Sequence, residues 1–300
     1  MAAAALACAG LVPAAHACSI CRCGDPTFNA LGKDVVAASG WRFALDWERF
    51  SKTQGAPGEQ DSAVENRYTA VIAYTAADRV LLVARLPYSE HSLVEQSGTD
   101  VERTETSGLA DPEIYAQIRL WSSPFKGDLG RRASISATLG VKTDWGVNDA
   151  SRDGARLDEH VQPGTGSTDY FVGLSTYYLF DRQSALFASA QVRVPGSNDF
   201  DYRYGRIFLA NVAYERKLTG KVDSVLELNY RHAARDRIDA TGALDGDTGG
   251  SVLYATPRLL LNVGGGVVLR LAAQIPVAEN LYGAQDEKTV YNLGLTYTFN

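Results

Sequence analysis

From residue 39 to the C-terminus, apolar and polar residues alternate one for one over successive segments, the period expected of strands with one apolar and one polar face. The segments fall at 39–51, 64–76, 79–91, 112–122, 131–145, 168–180, 184–194, 205–218, 222–233, 251–262, 267–277 and 288–299. In the first, Trp41, Phe43, Leu45 and Trp47 share one face while Arg42, Asp46 and Glu48 occupy the other. In the third, Val80, Leu82, Ala84, Leu86 and Tyr88 lie opposite Arg85. The connections alternate as well. A tight turn at Ala76-Ala77-Asp78-Arg79 and short turns near Phe125, Asp181, Thr219 and Gly264 alternate with long polar stretches at 52–63, 92–111, 146–167, 195–204, 234–250 and 278–287. Short turns at one rim and long loops at the other predict an all-β chain, a transmembrane antiparallel β-barrel of about 12 strands spanning 39–300, with both termini in the periplasm. A soluble β-sandwich would alternate too, but these segments exceed the roughly five or six residues usual in soluble sheets. Trp41, Trp47, Tyr74, Tyr88, Tyr214, Tyr230, Tyr254 and Tyr297 fall on the apolar faces, mostly toward the rims, as an interfacial aromatic girdle requires.

Composition narrows the picture. The 300 residues are 45% hydrophobic and 21% charged with a formal net charge of -6, a balance that suits a folded chain and argues against nucleic acid as a partner. After residue 17 no apolar run reaches the roughly 18 residues a membrane-spanning helix needs. Residues 1–17 are alanine-rich and apolar and end in Ala15-His16-Ala17, the small-x-small form of a signal-peptidase site, although the usual basic start is missing. The expected organisation is therefore a signal peptide at 1–17, a cysteine-containing periplasmic segment at 18–38 that is a candidate plug, and the barrel at 39–300. Cleavage by signal peptidase and lipoprotein processing with acylation of Cys18 both remain open; either sends the chain across the inner membrane.

The final strand, Asn292-Leu293-Gly294-Leu295-Thr296-Tyr297-Thr298-Phe299, resembles the C-terminal insertion signal of bacterial outer-membrane proteins through Asn292, Gly294, Tyr297 and Phe299, with Asn300 added after the last aromatic. The resemblance implies an outer-membrane location among lipid and delivery by the barrel assembly machinery.

If the apolar faces meet lipid, the opposite faces line a lumen. They carry Glu48, Arg85, Glu113, Arg119, Lys142, Asp144, Arg193, Glu215, Lys217, Glu227, Arg231, Arg258 and Arg270, with Gln117, Gln191, Asn229, Asn262 and Gln274 between them. Charges inside such a wall must be paired or wet. Two readings follow: cross-paired charges plugging a closed pillar, or an arginine-rich stripe lining a narrow path for small anionic or polar solutes.

Cys18, Cys21 and Cys23 stand in a CxxCxC run. Three thiolates at that spacing suit a soft metal such as Cu(I) or zinc, while an oxidising periplasm favours a disulfide between two of them. A non-conducting barrel serving as a scaffold for a periplasmic partner through this segment is the alternative to a channel. An enzyme is not expected. Beyond the signal region only His91, His160 and His232 remain, none stands in the His-x-Ser-Asn-Gly setting of outer-membrane phospholipases, and His91-Ser92 reads as a solvated pair at the rim.

Three stretches resemble the MetA-pathway of phenol degradation family of outer-membrane transporters. Gly108-Leu109-Ala110-Asp111-Pro112-Glu113-Ile114 is similar to that family's Gly-hydrophobic-Gly-Asp segment, with Ala110 in place of a glycine. Leu139-Gly140-Val141-Lys142-Thr143-Asp144-Trp145-Gly146 matches more loosely, and 156–169, containing Gln162-Pro163-Gly164-Thr165-Gly166-Ser167, resembles its long loop. The resemblance implies a solute channel. From the residues themselves, Pro163, Gly164 and Gly166 reverse the chain and place Asp158, Glu159, His160 and Gln162 either in a constriction folded into the lumen or in a turn on the outer rim.

Overall fold

The computed structural model describes residues 40–55, 60–76, 79–98, 100–123 and 132–299. The signal-peptide and cysteine readings fall outside the described residues. Twelve long strands form the barrel: β1 (Gly40–Gln54), β2 (Asp61–Ala76), β3 (Val80–Ser97), β4 (Glu113–Ser122), β5 (Arg132–Lys142), β6 (Asp169–Leu179), β7 (Ser184–Pro195), β8 (Ile207–Lys217), β9 (Val222–Ala233), β10 (Gly250–Gly264), β11 (Val267–Leu281) and β12 (Val290–Thr298). Each pairs antiparallel with its neighbours in sequence, and β12 returns to β1 with Leu295 opposite Leu45 and Tyr291 opposite Arg49. The ring is closed, so no wall strand is left as a free edge. No described helix is long and apolar enough to cross a membrane.

Period-two alternation decides which way each side chain points. Along β1 the outward Trp41, Phe43 and Leu45 are exposed, whereas Arg42, Asp46, Glu48 and Lys52 are buried inside. The same inversion runs round the wall: Ile72, Leu82, Leu86, Ile114, Leu139, Val172, Val212, Leu228 and Leu295 face out. A surface that is apolar outside and charged inside is stable only with hydrocarbon around it. Tyr254 departs from the expected girdle. It lies on the inward face of β10, is 0% exposed, and donates its hydroxyl to Glu287.

The stretch 92–111 is not a loop. β3 continues for 18 residues, and its outer part pairs with an arm strand, Asp100–Leu109, that folds back along it from Asp100 opposite Ser97 to Leu109 opposite Tyr88. The inner part of β3, Val80 to Arg85, pairs with β4 instead. Pro87, which has no N–H to offer, sits where the partner changes, and its carbonyl accepts from Ala110 N at 3.0 Å. Sequence alternation persists through this hairpin extension, but its polar composition resembles a loop.

Glycine at 140 is needed for close packing inside the wall: a Cβ there would meet the Phe171 ring and lie 2.5 Å from Tyr115 Cβ. Tyr115 Cβ is fixed to the β4 backbone and cannot move aside. Gly140→Val is therefore expected to abolish the compact, heat-modifiable band of the folded barrel in gel electrophoresis, whereas Gly220→Ala, where nothing lies within 4 Å, leaves it intact.

Candidate functional site

The three motif stretches converge at the mouth on the long-loop side, the extracellular side by the short-turn rule. Asp111, 5% exposed, follows the arm strand and is the acceptor on which they meet. One carboxylate oxygen takes Gly146 N at 2.9 Å; the other takes Thr165 N at 2.7 Å, Thr165 Oγ1 at 2.6 Å and Lys142 Nζ at 2.9 Å. Backbone bonds add to this: Val147 N to Leu109 O at 2.8 Å and Gly164 N to Val147 O at 2.7 Å. The approach needs glycine at two positions. A Cβ on Gly146 would sit 2.6 Å from Asp111 Oδ1, and one on Gly164 would sit 2.7 Å from Gly146 Cα.

This clasp turns the 143–168 loop inward. Its short 3₁₀ turn, Glu159–Val161, carries Val161 against Ala63 and Leu93, which face the interior from β2 and β3. Gln162 is 0% exposed and holds the loop on itself, donating to Leu157 O and Ala150 O and accepting from Ala150 N. Arg156 binds Glu159 with both terminal nitrogens, at 2.6 and 2.9 Å, and lies 3.6 Å from the centre of the Phe200 ring. Asn198 donates to Glu159 at 3.0 Å and to Thr165 O at 3.2 Å. Of the four loop candidates, Glu159, His160 and Gln162 are buried in the mouth; Asp158 is exposed and caps the turn by accepting from His160 N.

His160 joins this loop to two others. Its Nε2 is 3.1 Å from Tyr202 OH and 3.8 Å from Asp245 Oδ2; Tyr202 OH donates to Asp236 at 2.9 Å, and Asp236 also accepts from Gly205 N. Burial works against the charged imidazole, but the neighbouring carboxylates of Asp245, Asp158 and Asp236 outweigh it, so the His160 pKa is raised above its ordinary value. Burial and the same carboxylates drive the Tyr202 phenol upward too and keep it a neutral donor.

Below the loop, the candidate lumen residues face inward in paired sets. Arg85 and Arg193 bind the two oxygens of Glu113 at 3.0 and 2.5 Å; Arg193 also approaches Asp169 at 3.9 Å, and Asp169 approaches Lys142 at 3.5 Å. The chain Arg85, Glu113, Arg193, Asp169, Lys142, Asp111 thus alternates in sign from β3 to the loop clasp. Arg231 binds Glu287, which also takes Tyr254 and lies 3.6 Å from Lys52. Arg258 binds Glu227 at 2.7 Å, and Arg270 binds Asp46. Gln117 donates to Ser175 Oγ at 2.9 Å. Glu48, Arg119 and Glu215 occupy inward positions on β1, β4 and β8 and make interactions of their own. Asp144, Lys217 and Asn262 are exposed: β5 ends at Lys142, Lys217 stands at the rim of β8, and a bulge after Asn262 turns the end of β10. The assembly-signal residues lie along the closing seam: Gly294 opposite Asp46, Asn292 opposite Glu48, Tyr297 opposite Phe43, with Phe299 against the Phe43 ring.

His91 is not a solvated rim residue. It is buried on the inward face of β3, 3.8 Å from Glu65. His232 and Ser251 instead meet on the outer face of β9 and β10, with 2.9 Å between Nδ1 and Oγ, and Tyr230 OH lies 3.1 Å from the same serine. The carboxylate partners Asp46, Asp111, Asp169, Asp236, Asp245 and Glu287 were missed as site residues. Asp111 stood in a quoted motif, but its role needed three segments distant in sequence.

No protein-family model matches the sequence, and no curated protein is recognisably similar to it. Among solved structures, an outer membrane channel from Pseudomonas putida F1 superposes with a TM-score of 0.66 at 13% identity, covering 88% of this chain and 97% of that one. The β domain of the Bordetella autotransporter BrkA gives a TM-score of 0.50 at 13% identity, over 87% of this chain and 100% of that one. The fold is that of a bacterial outer-membrane β-barrel. Such barrels serve as channels and as autotransporter domains alike, so the likeness speaks to architecture and to residence in the outer membrane.

Asp111→Asn removes the charge of the nearer of two carboxylates, at 2.9 and 3.5 Å, that face a lysine 3% exposed. Removing one partner of a buried ion pair costs at most about 3–5 kcal/mol, and Asp169 keeps part of that, so the 143–168 loop of this variant is expected to become more protease-sensitive while the wall stays heat-modifiable; an additional Lys142→Met is expected to restore part of the protection.

Proposed function

We propose that the chain is an outer-membrane channel for small polar solutes, closed at its extracellular mouth by the 143–168 loop and lined by paired arginine and carboxylate groups. The observation that carries this reading is the combination of an interior crossed by ion pairs, beside an apolar cluster of Val71, Ala73, Leu81 and Val83, with a closure made by one loop held mainly at polar points. A barrel serving only as a pillar gains more from apolar packing, since buried ion pairs recover little of their desolvation cost. The Pseudomonas putida barrel of similar fold is described as a channel, which supports the same reading. Arg85, Arg193, Arg231, Arg258 and Arg270 each hold a carboxylate, so the lumen presents alternating charge to a passing solute and not a bare anion path.

In planar bilayers the wild-type protein is expected to show small, infrequent conductance steps, and Asp111→Asn longer openings. No steps from either, with folded protein in the bilayer, would sink the channel reading. Glu113→Gln unmasks Arg85 and Arg193 together and is expected to shift reversal potentials toward anion selectivity.

The closure is also expected to depend on pH. Because the His160 pKa is raised in the closed mouth, its contribution is fully present below the ordinary histidine value and is lost as pH rises through the raised one. Open probability is then higher at about pH 8.5 than at about pH 6, and His160→Gln flattens that dependence.

A further inference from the structure

The ladder between β10 and β11 is broken in the middle of the wall. Ala255 pairs with Ile275 and Arg258 with Ala272, but Thr256 and Pro257 have no registered partners between them. Pro257 lies in the gap and Pro276 just beyond its edge, and neither has an N–H to give the ladder. Outside this seam lies a groove of about 790 Å³ walled mainly by apolar groups, among them Pro257, Leu259, Leu271 and Leu293. Its floor includes the inward-facing Arg258, Ala272 and Asn292, and a small inner cavity of about 10 Å³ shares these three residues, together with Trp47 and Leu293. Lipid and lumen are separated here by little more than those side chains.

Two buried donors end the groove. Arg258 is 5% exposed and gives its Nε to Glu227, a carboxylate that also takes Asn211 and Asn229. Arg258 Nη2 and Asn292 Nδ2 are buried and have no hydrogen-bond partner among the described residues. Leaving such donors unmade is costly, and what would satisfy them at the end of an apolar groove is an acceptor carried on an apolar body. One cationic and one neutral donor lining the same groove and cavity fit a carboxylate.

We infer that the wall between β10 and β12 holds a binding site for an amphipathic monocarboxylate, with its apolar body in the outer groove and its head group on Arg258 and Asn292. The inference goes beyond the channel reading, because the groove opens toward lipid and not toward the lumen, and its test reads binding without conductance.

Trp47 reports on the groove. With Trp41, Trp121 and Trp145 changed to Phe, it becomes the sole tryptophan of the chain. Folded barrel in nanodiscs is titrated with a brominated medium-chain carboxylate and with the brominated alkanol of equal length. Saturable quenching by the carboxylate is expected at concentrations about tenfold below those needed for the alkanol, a charge-assisted bond's worth of preference. Simple partition into lipid would favour the neutral alkanol. In the Arg258→Gln, Glu227→Gln double variant, which leaves no charge unpaired and is checked for its heat-modifiable band, the preference is expected to vanish. Equal, unsaturable quenching by both probes, or carboxylate binding that survives the double change, overturns the site. A barrel that conducts but shows no preference loses this inference alone; one that binds but never conducts keeps the site and loses the channel.

Discussion

A chain that crosses hydrocarbon as strands must leave no backbone N–H or C=O without a partner, and everything else in this protein follows from that demand. It requires β12 to pair with β1, and the pairing of residues 42–49 with 291–298 meets it. Closure then sets two environments that cannot be exchanged. A one-residue slip of any wall strand would turn its arginines to lipid and its leucines to the lumen, so alternation and register reinforce each other.

The interior created by closure holds many charges beside an apolar cluster on β2 and β3. Such an interior is stable only if each charge has a partner, and the pairs join strands far apart in sequence: Arg193 reaches Glu113 across 80 residues, and Arg270 reaches Asp46 across 224. The same economy governs the mouth. Lys142 at the end of β5 needs a counter-charge, Asp111 supplies it, and the remaining acceptor capacity of Asp111 captures Thr165 and Gly146. Inward folding of the loop thus goes together with satisfying a buried lysine that Asp169 meets only at 3.5 Å. A closure made of hydrogen bonds and one raised-pKa histidine can exchange its partners for water, which an apolar plug cannot do without exposing its surface.

Where the backbone rule is relaxed, the wall changes character. At the proline-containing gap between β10 and β11 the ladder loses bonds, and there the outer groove reaches inward-facing side chains. At Pro87 the wall strand exchanges β4 for the arm strand on one side while it keeps β2 on the other. Both places show that a strand can afford a missing donor only where the local geometry needs none.

Strand number, order and facing were legible in the chain because alternation is a local property repeated over enough residues in each strand to outweigh its exceptions. It failed at Tyr254, an aromatic whose type suggested the girdle but whose hydroxyl was needed by Glu287, and at 92–111, where polar composition hid a paired extension. The motifs 108–114, 139–146 and 156–169 were visible as three separate stretches. That they form one clasp, that Glu159, His160 and Gln162 lie inside it while Asp158 does not, and which carboxylate each arginine holds were decided only by tertiary structure. The physical reason is that periodicity is carried by neighbours in sequence, whereas a salt bridge or a buried hydrogen bond depends on distances between strands that only closure of the barrel brings together.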